Sequence, residues 1–263
     1  MSERRRGMRI KDPMTDDAVS ELVDFSIILS IILLATAVIV VAGIPIIKHT
    51  QESQYSQNIV QSFQVLAPNI NKVVKGTSPS QSIELKMYGG ILSVTSDSYM
   101  EVSMKVWNSS NGSYDTETYG KHMGMIENDY YGTSVAYENT GIWAIYDRGN
   151  SVMKLEPLFT YSNNVLFIPY SSLSGISSLS GSGLVRVTTD GGRRTIESYH
   201  NVSQVDISIT SEYHEAWGEH LSEKIDMPIV SRDAANNTVH LGRTYTQDID
   251  VYIIESPMHI TLN

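Results

Sequence analysis

The sequence has 263 residues, of which 41% are hydrophobic and 18% are charged, and its formal net charge is −10. These proportions exclude an intrinsically disordered chain and a membrane protein with many spans, and the length suffices for one large hydrophobic core. The acidic balance argues against a nucleic-acid partner, and the absence of cysteine excludes thiol catalysis, thiolate zinc sites and iron–sulfur clusters.

Residues 1–18 are predicted to form a basic leader. Five basic residues precede the first long apolar stretch, whereas Lys48 is the only basic residue within a similar distance after it. The five are Arg4, Arg5, Arg6, Arg9 and Lys11. Because positively charged flanks of membrane helices stay in the cytoplasm, this asymmetry predicts a cytoplasmic N-terminus in the cell membrane and an extracellular segment at 48–263.

Residues 19–47 are predicted to form a single transmembrane helix surrounded by the lipid bilayer. The stretch from Phe25 to Ile47, hereafter the apolar segment, contains twenty-three residues and no charged side chain. At ~1.5 Å per residue it spans ~34 Å, which is enough to cross a hydrocarbon core ~30 Å thick. Pro45 is expected to kink or partly break the helix. A secretory signal cleaved after Ala37 is the alternative, but apolar residues continue for ten positions beyond it.

Residues 48–76 are predicted to form an amphipathic helical stalk. Apolar residues recur there at steps of three and four, namely Tyr55, Ile59, Phe63, Leu66, Ile70 and Val73. Pro68 is expected to bend or restart the helix, and Gly76 to end it. We expect the apolar stripe to pack onto the β-rich part of the same chain, and the alternative is that it packs against neighbouring subunits.

Residues 77–263 are predicted to form an extracellular β-rich domain, because apolar residues there alternate with polar ones. The predicted strands are Ile83–Met87, Ile91–Val94, Met100–Trp107, Thr133–Tyr137, Gly141–Tyr146, Ser151–Leu155, Val165–Pro169, Leu184–Thr189, Arg194–Tyr199, Val202–Thr210 and Asp248–Ile254. Gly89-Gly90 and Asp190-Gly191-Gly192 are interpreted as hairpin turns, and 171–183 as an exposed loop.

One helix, from Tyr213 to Lys224, is predicted to interrupt the strands, with Ser211 as its cap and Trp217 and Leu221 on one face. The predicted fold is therefore of the α+β class. A long N-terminal transmembrane and amphipathic helix precedes an antiparallel β-sandwich-like ectodomain that contains one inserted helix.

The sequence lacks the motifs that mark common active sites. It contains no nucleophile elbow, no phosphate-binding loop and no dinucleotide fingerprint, so we predict no catalytic residues, no cofactor and no enzymatic activity. His214 with Glu215 and Glu219 is interpreted as a surface charge cluster, with a metal site as the alternative. His220 lies six residues after His214, a spacing that puts the two imidazoles on different helix faces.

Four asparagines stand in Asn-x-Ser/Thr sequences that accept N-linked glycans. They are Asn108, Asn111, Asn201 and Asn236. About 2.6 such sequences are expected by chance, so the number alone is weak evidence for a glycoprotein. Asn108 and Asn111 lie in a turn-like stretch and are the preferred candidates.

The basic leader RRRGMRIK, the junction DDAVSELV and the apolar helix FSIILSIILLATAVIVVAG follow one another and lead into a polar helix. In this order they resemble archaeal type IV pilin-like proteins with class III signal peptides. The resemblance implies that a prepilin peptidase cuts on the cytoplasmic side, here between Ala18 and Val19. It also implies that the helices of like subunits bundle into a filament core and display β-rich heads outward.

Two acidic residues at the start of the apolar helix are the candidate charges of that bundle. The family usually has a carboxylate at the fifth mature position, which is Val23 here, so Glu21 or Asp24 would substitute for it. A second interpretation places Asp24 at the inner headgroup boundary, where it complements the helix N-terminus. The first interpretation makes it a charge partner for another subunit inside the membrane.

Two further stretches, VAYENTGIWAIYDRGNSVMKLEP at 135–157 and ITSEYHEAWGEHL at 209–221, resemble a poorly characterised archaeal surface family with the same anchor. Together these resemblances imply a pilin-like structural or adhesive subunit at the cell surface. The alternative is an uncleaved single-pass envelope protein that binds a surface partner or glycan without entering filaments. An anchored hydrolase is a third hypothesis.

Overall fold

The computed structural model describes residues 14–147, 149–175 and 177–263, with side chains described from residue 20 onward. The chain divides into two compact units, of which the first ends at Ser53 and the second comprises Gln54–Asn263. The fold is α+β, as predicted. A long N-terminal helix precedes antiparallel sheets in a β-sandwich-like domain that contains one short inserted helix.

Helix α1 extends over 61 residues, Met14–Val74. It continues through Pro45 and Pro68 without interruption, so the predicted restart at Pro68 is wrong. A proline removes only one helical N–H, and near Pro68 the side-chain amide of Asn69 adds a bond to the carbonyl of Val65 at 2.9 Å. The helix ends at Val74, and Gly76, which was predicted to end it, has a left-handed φ of 67° and donates its N–H to the carbonyl of Val73.

The strands follow in chain order: β1 Ser80–Lys86, β2 Ile91–Thr95, β3 Tyr99–Asn108, β4 Ser113–His122, β5 Met125–Tyr130, β6 Thr133–Glu138, β7 Gly141–Tyr146, β8 Ser151–Leu155, β9 Thr160–Ser162, β10 Val165–Ser174, β11 Ser177–Ser180, β12 Leu184–Gly191, β13 Thr195–Thr210, β14 Ile229–Asp233 and β15 Thr238–Leu262. Helix α2, His214–Lys224, lies between β13 and β14. The long polar strand β4 and the short strands β9 and β14 have no apolar alternation that could have revealed them.

The strands form two sheets. The large sheet has the order β1-β12-β15-β13-β3-β4, and β10 and β14 also pair with the long strand β15. The small sheet has the order β11-β2-β5-β6-β7-β8. Within the described residues the ladders are antiparallel, apart from the parallel pairing of β10 with β15.

The hairpin predicted around Gly89-Gly90 does not form. Strand β1 pairs with β12 in the large sheet, whereas β2 pairs with β5 and β11 in the small one. Gly90 does close a tight turn by donating to the carbonyl of Met87 at 2.9 Å. That turn carries the chain from one sheet to the other, and a local turn signal cannot distinguish this crossing from a hairpin.

The hairpin predicted at Asp190-Gly191-Gly192 is wrong too. Strands β12 and β13 both run antiparallel to β15, with Gly191 opposite Met258 and Thr195 opposite Glu255. The glycine pair therefore interrupts one long edge of pairing along β15 instead of reversing the chain. The segment 171–183, predicted to be a loop, contributes residues to β10 and β11, and Ser171 is fully buried.

The small sheet is buried on both faces because its central strands alternate between two hydrophobic clusters. Val135 and Tyr137 of β6 point to one cluster, and Ala136 points to the other. The first cluster contains the apolar stripe of α1, whose members from Ile59 to Val73 are at most 3% exposed. The stripe thus packs onto the β-rich part of its own chain, as expected. The second cluster contains Trp217 and Leu221 of α2.

Candidate functional site

The apolar segment is exposed at every residue except the half-buried Gly43. Fifteen of its large hydrophobic side chains are 44–74% exposed, and its most apolar window has a mean hydropathy of 3.0 and no buried residue. In the part of the chain that the structure describes, α1 is the one helix long and apolar enough to cross a membrane. Ser26, Ser30 and Thr36 donate their hydroxyls to the carbonyls four residues earlier, which hides these polar groups within the helix.

Of the candidate residues at the N-terminal end of this helix, two have described side chains and two do not. Ala18 and Val19 belong to α1, but their side chains lie outside the described residues. Glu21 and Asp24 are exposed, and among the described side chains neither has a salt bridge or hydrogen bond. The five basic residues of the leader lie outside the described residues.

The four glycan-acceptor candidates lie at turns or strand irregularities on the surface. Asn111 and Asn236 are exposed in tight turns, and Asn201 is exposed in the bulge of β13 with a left-handed φ of 55°. Asn108 is half-buried at the end of β3, and its amide donates to Asp115 at 2.7 Å. The side-chain amides of Asn111 and Asn236 also donate to aspartates, at 3.2 Å to Asp115 and at 2.7 Å to Asp233.

A fully buried hairpin turn forms the most unusual polar centre of the domain. Glu138, Asn139, Thr140 and Gly141 join β6 to β7, and the first three are 0% exposed. Asn139 and Thr140 take left-handed φ values of 39° and 74°. Turns normally lie at the surface because their backbone groups need water, so a buried turn requires partners from the protein.

Side chains supply those partners. The Asn139 amide donates to the carbonyl of Pro169 at 3.0 Å and accepts from the N–H of Ser171 at 2.8 Å. Asn71 of α1 donates to the carbonyl of Thr140 at 3.0 Å and accepts from the Tyr137 hydroxyl at 2.9 Å. The turn is therefore tied to strand β10 on one side and to α1 on the other.

The Glu138 carboxylate is the charged member of this centre. Its Oε2 accepts from the Ser211 hydroxyl at 2.8 Å and from the Trp217 indole N–H at 3.1 Å. Its Oε1 has no hydrogen-bond partner among the described residues, and neither has the buried hydroxyl of Ser98. Burial raises the pKa of Glu138 to about 7, although Ser98, Ser211 and Trp217 each lower it. The carboxyl is thus partly protonated at neutral pH.

An acidic cavity of about 210 Å³ adjoins the buried centre. Glu127, Asp97 and Glu212 line it, together with Ser98 and Ser211. Burial raises the pKa of Glu127, and the neighbouring carboxylates raise it further, while the Tyr213 hydroxyl donates to it at 2.5 Å. Within the described residues no group of three histidine or carboxylate side chains is placed to hold a metal ion.

The prediction of a surface charge cluster of His214, Glu215 and Glu219 on α2 is wrong for His214, and His220 is buried as well. His214 and His220 are 6% and 5% exposed, because the short helix buries a face wide enough to include both. The His214 imidazole contacts the carbonyl of Ser211 at 3.1 Å, and the His220 ring lies edge-on to Trp143. Burial lowers the pKa of His220, which favours the neutral form of this ring.

The sequence profile of a family of unknown function, DUF7289, matches residues 18–259. The chain belongs to this family. The match includes the apolar segment and nearly the entire domain, so the DUF7289 unit combines the two. No curated protein matches the chain.

The buried centre of this DUF7289 protein joins the two stretches that carried the second resemblance. Glu138 belongs to the stretch 135–157, and its partners Ser211 and Trp217 belong to the stretch 209–221. Trp143 and Trp217 pack with ring centroids 4.2 Å apart, and Ser151 accepts from the N–H of Ala216 at 2.9 Å. Sequence reasoning missed this centre because Glu-Asn-Thr-Gly has the composition of an exposed hairpin turn.

Proposed function

We propose that this DUF7289 protein is a membrane-anchored cell-surface protein and acts as a pilin-like structural or adhesive subunit. The observation that supports the anchor is the exposure of fifteen large hydrophobic side chains in the apolar segment. Exposing each of them to water costs about 1.5–3 kcal/mol, so the whole segment costs tens of kcal/mol unless lipid or other helices cover it.

The orientation follows from charge. The basic leader favours a cytoplasmic N-terminus, which places the β-rich domain outside the cell. The acidic remainder of the chain has no affinity for the anionic cytoplasmic leaflet and is compatible with an extracellular position.

The pilin-like role rests on helix α1. It runs from the apolar segment into a second half whose stripe is buried by the β-rich domain of the same chain. The apolar segment therefore retains every face for lipid or for the helices of like subunits. Glu21 and Asp24 are exposed at the start of this segment, where a neighbouring subunit could neutralise them.

The native N-terminus tests the role directly. Mass spectrometry of protein isolated from its own cells should identify a mature chain that begins at Val19, as prepilin-peptidase cleavage requires. An intact leader that starts at residue 1 would contradict processing and favour the alternative, an uncleaved single-pass protein that binds an envelope partner or glycan.

A pair of substitutions separates anchoring from assembly. Glu21→Gln with Asp24→Asn should abolish filaments while the protein stays in the membrane. The two substitutions remove the carboxylates that a neighbouring subunit would neutralise, and they leave the apolar segment intact. Glu52→Gln, in the same helix beyond the apolar segment, is the matched control and should leave filaments unchanged. Filaments that persist without both carboxylates would contradict this role for them.

A further inference from the structure

The acidic cavity lies where four parts of the chain meet: the connection between β2 and β3, strand β5, the end of β13 and the turn between β14 and β15. Backbone hydrogen bonds fix these parts. The N–H of Ser211 donates to the carbonyl of Asn237 at 2.9 Å, and the N–H of Met123 donates to the carbonyl of Ser98 at 3.0 Å. The walls of the cavity are therefore held by the backbone of the domain.

The three carboxylates of the cavity lie at different depths. Asp97 and Glu212 are exposed, whereas Glu127 is half-buried. The Tyr213 hydroxyl donates to Oε1 of Glu127, and the other oxygen of this carboxylate accepts no hydrogen bond from a described residue. Burial raises the pKa of Glu127, and the carboxylates around it raise this pKa further. A cation in the cavity would relieve both effects.

The hydroxyl of Ser98 is an unused polar group in the same wall. Ser98 is 0% exposed, and its Oγ has no hydrogen-bond partner among the described residues. Ser211 also lines the cavity, but its hydroxyl already donates to Glu138 and accepts from the N–H of Tyr213. Buried hydroxyls without a partner are rare in folded proteins because they are destabilising. A hydrogen-bond donor bound in the cavity would supply the partner that Ser98 lacks.

The lining of the cavity selects a ligand by charge and by size. None of the residues that line it is basic, so an anion would meet three carboxylates without compensation. A carboxylate only accepts hydrogen bonds and a hydroxyl can accept one, so the matching ligand is a positively charged donor. The volume of about 210 Å³ is below the range of about 300–1,000 Å³ of pockets for drug-sized ligands. The ligand is therefore a small cation.

An organic ammonium ion fits these groups better than a metal ion does. Calcium takes about six to eight oxygen ligands at roughly 2.3–2.6 Å, but no three carboxylates or histidines of the described residues are placed to hold a metal. An ammonium group has three donors that reach acceptors at about 2.7–3.2 Å, so it does not require converging carboxylates. The buried Met125 side chain lines the same cavity and provides an apolar surface for methylene groups.

We propose that the acidic cavity is a binding site for a small primary alkylammonium ion. The ammonium group donates to the Glu127 carboxylate and to the Ser98 hydroxyl oxygen, and its alkyl chain packs against Met125. Asp97 and Glu212 attract the ion from the rim by their charge. The cavity belongs entirely to the unit Gln54–Asn263, so this inference does not depend on the membrane anchor or on the pilin-like role.

Thermal unfolding of the full-length protein in detergent tests the site, because a ligand that binds only the folded state raises the thermal midpoint. The probe is n-propylammonium chloride. Tetramethylammonium chloride is the control, since it has the same charge and no N–H donor. We expect a saturable rise of about 3–6 °C when propylammonium is about tenfold above its dissociation constant, and no saturable rise with the control. Equal effects of the two salts, or no rise with either, would overturn the proposal.

Two variants locate the binding site. Glu127→Gln keeps an oxygen for the Tyr213 hydroxyl but removes the charge, so half-saturation should need at least about tenfold more propylammonium. Glu117→Gln, an exposed position of β4 outside the cavity, is the matched control and should bind as the parent does. Ser98→Ala should weaken binding severalfold and raise the midpoint of the unliganded protein, because it removes a buried hydroxyl without a partner. Parent-like binding by Glu127→Gln, or a lower midpoint for unliganded Ser98→Ala, would contradict the roles of these residues.

Calcium chloride and a direct contact measurement complete the test. A saturable rise with calcium that propylammonium does not produce would overturn the ammonium assignment in favour of a metal ion. Saturation-transfer difference NMR on the folded protein should detect the methylene protons of propylammonium, and Glu127→Gln should lose this signal. A signal that is equally strong in the parent and in Glu127→Gln would place the amine outside the acidic cavity and overturn the proposal.

Discussion

In the first half of α1, between Phe25 and Ile47, apolar side chains surround the helix, whereas in the second half they occupy one stripe from Tyr55 to Val73. The first pattern leaves every face exposed, and the second leaves the polar faces exposed while the stripe is buried by the sheets. The distribution of apolar residues around a helix axis thus indicates what must cover the helix. The first half requires lipid or other helices on all sides, and the second half requires the sheets on one side.

The comparison also limits how subunits could meet. The stripe of the second half is occupied by its own domain, so it is not available to neighbouring chains. In a pilin-like assembly, contacts along α1 would then come from the apolar segment and from the polar faces opposite the stripe. This division leads to predictions that differ between the two halves.

The largest effect is expected from charges in the apolar segment. Ile32→Arg with Val40→Arg should prevent membrane integration, because each arginine at the centre of a span costs about 2.5–3.5 kcal/mol by insertion scales. Gln57→Arg with Gln61→Arg places the same charges on exposed positions of the second half and should leave integration unchanged. Alkaline extraction of membranes measures both. Equal retention of the two double variants would contradict the distinction between the halves.

A truncation in the stripe should destabilise the domain instead. Phe63 is 1% exposed in the core between α1 and the sheets, so Phe63→Ala should lower the free energy of unfolding by about 3–5 kcal/mol. Val65, two residues further on, is 60% exposed. Val65→Ala should change the free energy of unfolding by less than about 0.5 kcal/mol. Denaturant titration in detergent distinguishes them, and similar losses for both variants would contradict the burial of a single stripe.

The buried Glu138 makes stability depend on pH. Because its pKa rises from 4.5 to about 7 on folding, the folded state binds more protons than the unfolded state between these values. Stability contributed by this group is therefore lost as the pH rises through that interval, by roughly 3 kcal/mol in total. Glu138→Gln cannot ionise, so its stability relative to the parent should improve by this amount between pH 4.5 and pH 8. Parallel pH profiles in denaturant titrations would exclude Glu138 as the source.

The smallest effect is expected from the polar link between α1 and the buried turn. Asn71→Ala leaves the Tyr137 hydroxyl and the Thr140 carbonyl without their partner, at a cost of about 1–3 kcal/mol. Asn69→Ala removes a bond within the helix only and should cost a few tenths of a kcal/mol by the same measurement. An equal cost for the two would show that the link does not hold α1 to the sheet.

The sequence predicted those features that depend on local periodicity. The stripe from Tyr55 to Val73, the end of α1 just before Gly76 and the face of α2 that contains Trp217 all follow from spacing along one helix. The α+β class follows from the change of period after that helix. These patterns depend on residues that are close in sequence, so they can be recognised without knowing how the remainder of the chain folds.

The pairing of strands could not be predicted in the same way. The turn at Gly89-Gly90 looks like a hairpin but links two sheets, because the partners of β1 and β2 lie thirty or more residues away in sequence. The buried Glu138 was missed for a related reason. Its partners Ser211 and Trp217 come from 209–221, the turn around it is bonded to β10 and α1, and nothing in the local sequence distinguishes this turn from an exposed one.

The central claim is that lipid covers the apolar segment, and the distribution of native full-length protein between membrane and soluble fractions tests it most directly. We predict that the protein stays with the membrane after alkaline washing and is released only by detergent. Full-length protein that remains soluble and monomeric without detergent, with the apolar segment exposed to water, would contradict the account.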